Sequence, residues 1–135
     1  MLDTLRRICD GGGRIGGVAY TLFGGDPRFV TAVGLQFESL AAVFRAGPGD
    51  NTLVAFTGPL VPAAEESLTQ VGHLPPWSAC VGRGVRGAWS WTNQRWYTDG
   101  VRLEFSDPGK ASRAVVELLV IASAIKVFVA TEAGL

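Results

Sequence analysis

Apolar residues recur at every second position through most of this chain, and no other feature limits the fold as much. Val101, Leu103 and Phe105 alternate with Arg102 and Glu104, and Val33, Leu35 and Phe37 alternate with Gly34, Gln36 and Glu38. Val18, Tyr20 and Leu22 share one side of a third segment. Successive side chains of a strand point to opposite faces, so a strand buried on one face requires this pattern. The runs LAAVFRA and TLVAFTG, joined by GPGDN at 47–51, read as a hairpin, and GGDP at 24–27 supplies another turn. VRGAWSW resumes the strand pattern.

Two short segments depart from this period. Leu2, Leu5 and Ile8 have helical spacing, so 3–9 predicts one or two helical turns with Asp3 placed to cap them. Pro62 is placed to open a second short helix over 63–71. The tail AVVELLVIASAIKVFVA, 114–130, is dense in β-branched residues. That favours two strands with a bend near Ala122–Ser123, with a buried helix over part of it as the alternative. Eighteen glycines and seven prolines punctuate these runs. The fold class expected is α+β, mostly β: one domain over 1–135, an antiparallel curved sheet or sandwich with one or two short helices.

Twelve basic residues balance twelve acidic ones, which removes any global electrostatic argument for nucleic acid or anionic membrane as a partner. The stretch 114–130 is too short and, with Glu117 and Lys126, too charged for a membrane span. Arg6 and Arg7 are followed by Asp10 and three glycines with no apolar run, so they form neither a Sec nor a twin-arginine signal. Cys9 and Cys80 lie in no metal-ligand spacing, and a cytoplasmic location with both thiols reduced is expected. No metal or cofactor motif is present.

The segment WSWTNQRWYTDG, 89–100, holds three of the four tryptophans among hydrogen-bonding residues. One account is architectural. Val85, Gly87, Trp89 and Trp91 share a strand face, Val101, Leu103 and Phe105 face inward on the returning strand, and 93–100 connects the two. Asn93, Gln94, Asp99 and Gly100 then satisfy the indoles and main chain of a compact hairpin formed with Trp89 and Trp91. The other account is a partner-binding tip made by Arg95, Trp96 and Tyr97, with Arg83 and Arg86 as rim charges. A stacking platform for single-stranded nucleic acid is disfavoured, because strand period projects Arg86 and Arg102 away from Trp89, Trp91 and Leu103.

Other motifs are weaker. GRGVRG at 82–87 matches GxGxxG, but a strand pattern follows where phosphate binding needs a helix. His73 is the single histidine, and no signature joins it to Cys80 as a nucleophile pair. Glu104 reads as solvent-facing. Glu117, flanked by valines and leucines, requires an edge position or an arginine partner, or else is an active-site acid.

The order W-x-x-T-N-Q-x-x-Y-x-D-G, followed by VRLEF and a tail containing ASAI, resembles an uncharacterised family of small bacterial proteins, a domain of unknown function. The matching positions are Trp89 or Trp91, Thr92, Asn93, Gln94, Tyr97, Asp99, Gly100, Phe105 and Ser123, within roughly 14–130. The resemblance brings no catalytic residues. It implies a bacterial cytosolic domain of a kind often found as an immunity or accessory protein near toxin genes. The leading expectation is therefore a non-enzymatic protein-interaction domain that binds and blocks a toxin. The alternative is a small ligand-binding or hydrolase domain with a pocket near Glu117, Asp99 and His73.

Overall fold

The computed structural model describes residues 1–47, 51–93, 98–107 and 113–130. One helix, α1 (Leu2–Gly11), precedes β1 (Ile15–Phe23), β2 (Val30–Phe37), β3 (Ala41–Ala46), β4 (Leu53–Thr57) and β5 (Glu66–Gln70). A 3-10 turn at Trp77–Ala79 leads to β6 (Gly84–Thr92), β7 (Thr98–Ser106), β8 (Arg113–Ile121) and β9 (Ala124–Ala130). The strands form two antiparallel sheets, ordered β4-β3-β2-β1-β5 and β6-β7-β8-β9. The expected class, mostly β with antiparallel sheets, is what the chain adopts.

The alternating residues account for the core. Val33, Leu35 and Phe44 of the first sheet join Val101, Leu103, Phe105, Val116 and Leu118 of the second in one cluster, each at most 1% exposed. Trp77 completes it, edge-on to Phe105 at 6.4 Å between ring centroids, with its indole N–H donated to the Tyr20 hydroxyl. That bond removes the penalty of burying the one polar atom of tryptophan. The two sheets are tied at one corner. There Ile15 donates its N–H to the Arg83 carbonyl at 2.9 Å, and Gly82 donates to the Ile15 carbonyl at 2.8 Å.

Two expected helices fare differently. The first is present, burying Thr4, Leu5 and Ile8. It begins one residue earlier than expected, so Asp3 lies inside its first turn and pairs with Arg7 at 3.2 Å instead of capping. The helix over 63–71 is absent. Glu66–Gln70 is strand β5, paired with Ala19–Phe23 on the open side of β1. To reach it from β4 at the opposite edge, the chain must cross the sheet, and 58–65 does so over the outer face. Leu60 presses on Gly34 so closely that a Cβ there would lie 2.8 Å from the Leu60 Cβ. Arg45 of β3 clasps the far end of this strap, with Nη1 2.9 Å from Glu66 Oε2 and Nη2 donating to the Val61 carbonyl at 3.3 Å. This tertiary demand for a strand overrides a helix start signalled by proline alone.

The tail follows the two-strand reading. Ile121 pairs with Ala124 across a two-residue turn, whose Ala122 and Ser123 have φ of 52° and 65°. Positive φ at both central residues gives the twist that joins adjacent strands tightly. Among the described residues no helix is long and apolar enough to cross a membrane.

Candidate interaction surface

Strand pairing arranges the outer face of the second sheet in rows. Trp89, Arg102, Glu117 and Phe128 are register partners across β6, β7, β8 and β9, and Trp91, Gly100, Leu119 and Lys126 form the next row. Directly opposed side chains share a face. Their sequence neighbours Val101, Val116 and Leu118 fill the core, so both rows point outward. Trp89 is 51% exposed, Trp91 38% and Phe128 44%.

This overturns the expected face assignment. Trp89 pairs with Arg102, not with the inward set, and the guanidinium carbon lies 5.8 Å from the indole centroid. The cause is a β-bulge. Val85 pairs with Phe105 but Gly87 pairs with Glu104, leaving Arg86 as the extra residue. One inserted residue reverses the phase of a two-residue period, so counting from buried Val85 mis-assigns everything after Arg86.

The tryptophans are held flat. A Cβ on Gly87 would lie 2.8 Å from Trp89 Cη2, and one on Gly100 would lie 2.7 Å from Trp91 Cε3. Each ring therefore lies on a glycine of the sheet, its inner side covering main chain and its outer side facing water. Rings packed down in this way are ordered in the free chain. Gly87 and Phe128 were missed as site residues. The signal for Gly87 is a glycine two places before a tryptophan on one strand, whereas nothing local marks Phe128.

A second bulge leaves Asp99 between Gly100, paired with Trp91, and Thr98, paired with Thr92. Asp99 and Glu117 line one hollow of about 360 Å³, together with Trp91, Thr92, Asn93 and Leu119. Two of the three residues expected to share a pocket do so. His73 does not line it; it is exposed in the turn after β5. Glu117 is not at an edge either, since β8 lies between β7 and β9 and Arg102 stands opposite it.

The remaining predicted residues lie elsewhere. Arg83 is 3.9 Å from Asp107, and exposed Arg86 lines a different hollow, of about 680 Å³, beside Cys9, Arg14 and Asp107. Gln94, Arg95, Trp96 and Tyr97 lie outside the described residues. Glu104 is not solvent-facing but buried, paired with Arg113. Gly84 and Gly87 of the GxGxxG match lie within strand β6. Burial pushes the Cys80 thiol up to about 11 despite Arg83, and partial burial and Asp10 raise Cys9. Both thiols are thus held protonated at neutral pH and are poor nucleophiles. Among the described residues no group of three or more His, Cys, Asp or Glu could hold a metal ion.

A family model matches residues 11–134, a span that takes in both sheets and the tryptophan rows. The chain belongs to DUF6334, a family of unknown function. No curated protein and no solved structure matches it. Strands β1 to β9 all fall within the DUF6334 match, whereas nearly all of α1 precedes it.

Proposed function

We propose that this DUF6334 chain is a non-enzymatic protein-interaction domain of the bacterial cytoplasm, an immunity protein that blocks a toxin by covering part of its surface. The contact face is the outer side of β6–β9, with Trp89, Trp91 and Phe128 as apolar anchors and Arg102 and Glu117 between them. The observation that carries this reading is the pair of exposed indoles lying flat beside a stacked guanidinium. Tryptophan and arginine dominate the energetics of protein interfaces because each buries large area while keeping a directional polar group. The mixed signs of Arg102 and Glu117 suit a partner surface with apolar side chains inside a polar rim.

The test is capture from the native host by tagged protein, identification of the retained partner, and titration with that partner purified. Trp89→Ala should weaken binding by about 2 kcal/mol or more, roughly thirtyfold, while costing at most about 1 kcal/mol of folding stability. Equal affinity of Trp89→Ala and wild type would remove this face from the interface.

A second reading rests on the shared hollow of Asp99 and Glu117, which would hold a small polar ligand against Trp91 and Asn93. Ligand-dependent stabilisation or turnover that disappears in Glu117→Gln would favour it over the protein partner.

A further inference from the structure

The two tryptophans of the displayed face share a posture but differ in their company. Trp89 lies on Gly87 and carries the Arg102 guanidinium, whose carbon is 5.8 Å from the indole centroid. Trp91 lies on Gly100 in the same way, but Gly100 is also its register partner. No β7 side chain therefore stands over Trp91 where Arg102 stands over Trp89. The far end of this row offers no substitute, since Lys126 Nζ is tied to the Arg28 carbonyl at 3.4 Å. Trp91 is left 38% exposed as one wall of the hollow of about 360 Å³.

The carboxylates of that hollow lack what the indole lacks. Asp26, Glu66 and Glu104 each hold an arginine at 3.0 Å or less. Asp99 and Glu117, both half-buried, make no hydrogen bond or ion pair among the described residues. For Glu117 the reason is visible. Arg102 is its register partner, but the guanidinium is spent on the Trp89 ring of the same row. Asp99 is the extra residue of the second β6–β7 bulge and lines the hollow beside it. A half-buried carboxylate without a cation has lost hydration that nothing else returns. Among the described residues no basic side chain lines this hollow. An open indole face and two unpaired carboxylates together make a site for an organic cation.

We propose that the hollow receives an arginine side chain of the protein partner, its guanidinium stacked on Trp91 and hydrogen-bonded to Asp99 and Glu117. The inference rests on the reading of this face as a partner-binding surface. It repeats the Trp89–Arg102 contact one row further on, with the guanidinium supplied from outside instead of from β7. A planar guanidinium suits the site better than a compact ammonium. It stacks on a ring through its face while the N–H groups at its rim reach carboxylates beside that ring. Ligand pockets hold about 300–1,000 Å³, so this hollow has room for the end of one side chain and little more. Arginine is also the cation enriched at protein interfaces, where lysine is depleted.

An NMR titration with a blocked Gly-Arg-Gly peptide tests the site by itself. The peptide should shift the Trp91 indole N–H and the Asp99 and Glu117 amides saturably, with a dissociation constant in the millimolar range, as suits a single side chain. The same peptide with citrulline, neutral and of the same shape, should bind about fivefold more weakly or worse. So should the arginine peptide to the Asp99→Asn, Glu117→Gln double variant. No saturable shift up to about 50 mM, or equal binding of the citrulline peptide, overturns the proposal on unaltered protein. Equal binding of a lysine peptide overturns the assignment to a guanidinium. Binding that appears only in Arg95→Ala gives the hollow to the chain's own arginine and overturns it too. With the captured partner, the double variant should lose affinity about tenfold or more. If Trp89→Ala weakens that partner and the double variant does not, the interface stands and the arginine site falls. If neither variant weakens it, the whole face falls.

Discussion

The centres of the two outer sheet faces are finished differently. On the five-stranded sheet the chain crosses its own strands, sets Leu60 on Gly34 and clasps the strap with Arg45 and Glu66. Ala32 and Val43, which point to that side, end with no exposure at all. On the four-stranded sheet Gly87 and Gly100 are again covered by large side chains, but these are tryptophans whose upper sides nothing in the described chain covers. Both faces use glycine to bring a bulky group down onto main chain. One face is covered at its centre by an aliphatic strap held by an ion pair, the other carries aromatic rings left bare. The strap thus covers the middle of one face, where Ala32 and Val43 lie, while Val54 and Phe56 of β4 and Leu68 of β5 stay 44–46% exposed at its margins; the other face carries its bare rings on glycine.

The largest effect expected from this contrast concerns the tryptophan on neither face. Trp77→Ala should cost about 3–5 kcal/mol, since it empties a fully buried site and leaves the Tyr20 hydroxyl without its donor. Denaturant unfolding measures it. A loss below 1 kcal/mol would mean that the core does not close around this ring, and the distinction between buried and displayed tryptophans would collapse.

The strap comes next. Burial would raise the Glu66 carboxyl, but hydrogen bonds from Arg45, Thr31 and the Ala63 N–H outweigh it and hold the group at about 2, against an ordinary 4.5. A carboxyl depressed on folding adds stability that is full above the ordinary value and fades as pH falls from about 4.5 toward 2. Glu66→Gln should therefore cost about 1.5–3 kcal/mol at neutral pH and flatten the acid limb of a stability–pH curve. An unchanged acid limb would show that the clasp does not hold the strap, and that the covered face owes its closure to Leu60 alone.

How much of this was legible in sequence depends on whether the deciding contact is local. The turn at Ala122–Ser123, the strands around Val33 and Leu103, and the first helix all follow from spacing along the chain. β5 did not, because its partner β1 is remote and the signal at Pro62 was local. The facing of Trp89 was lost to a single bulged residue, Arg86, which no period count can detect. Glu104 was misplaced for a related reason: its environment is set by Arg113 on the neighbouring strand, whereas Glu117 is not at the edge expected for it but does have an arginine, Arg102, as its register partner. Asp99 and Glu117 were rightly grouped, but His73 was added on residue type and lies on another part of the molecule.

The smallest expected effect is the most discriminating. Trp89→Ala removes a ring that lies over Gly87 and stacks with Arg102, yet half of its surface is already in water. The apolar area lost from the folded state is modest, and an exposed cation–π contact contributes about 0.5–1 kcal/mol. Uncovering Gly87 exposes main chain that the strand pairing already satisfies, so little is added there. Thermal and denaturant unfolding should place the variant within about 1 kcal/mol of wild type, several-fold less than Trp77→Ala. If the two losses are equal, the Trp89 ring is a structural clamp on the β6–β7 pair, and the uncovered face has no need of a partner to explain it. If Trp89→Ala is nearly neutral, the chain maintains an exposed indole that its own stability does not require, and selection for contact is the remaining physical reason to keep it there.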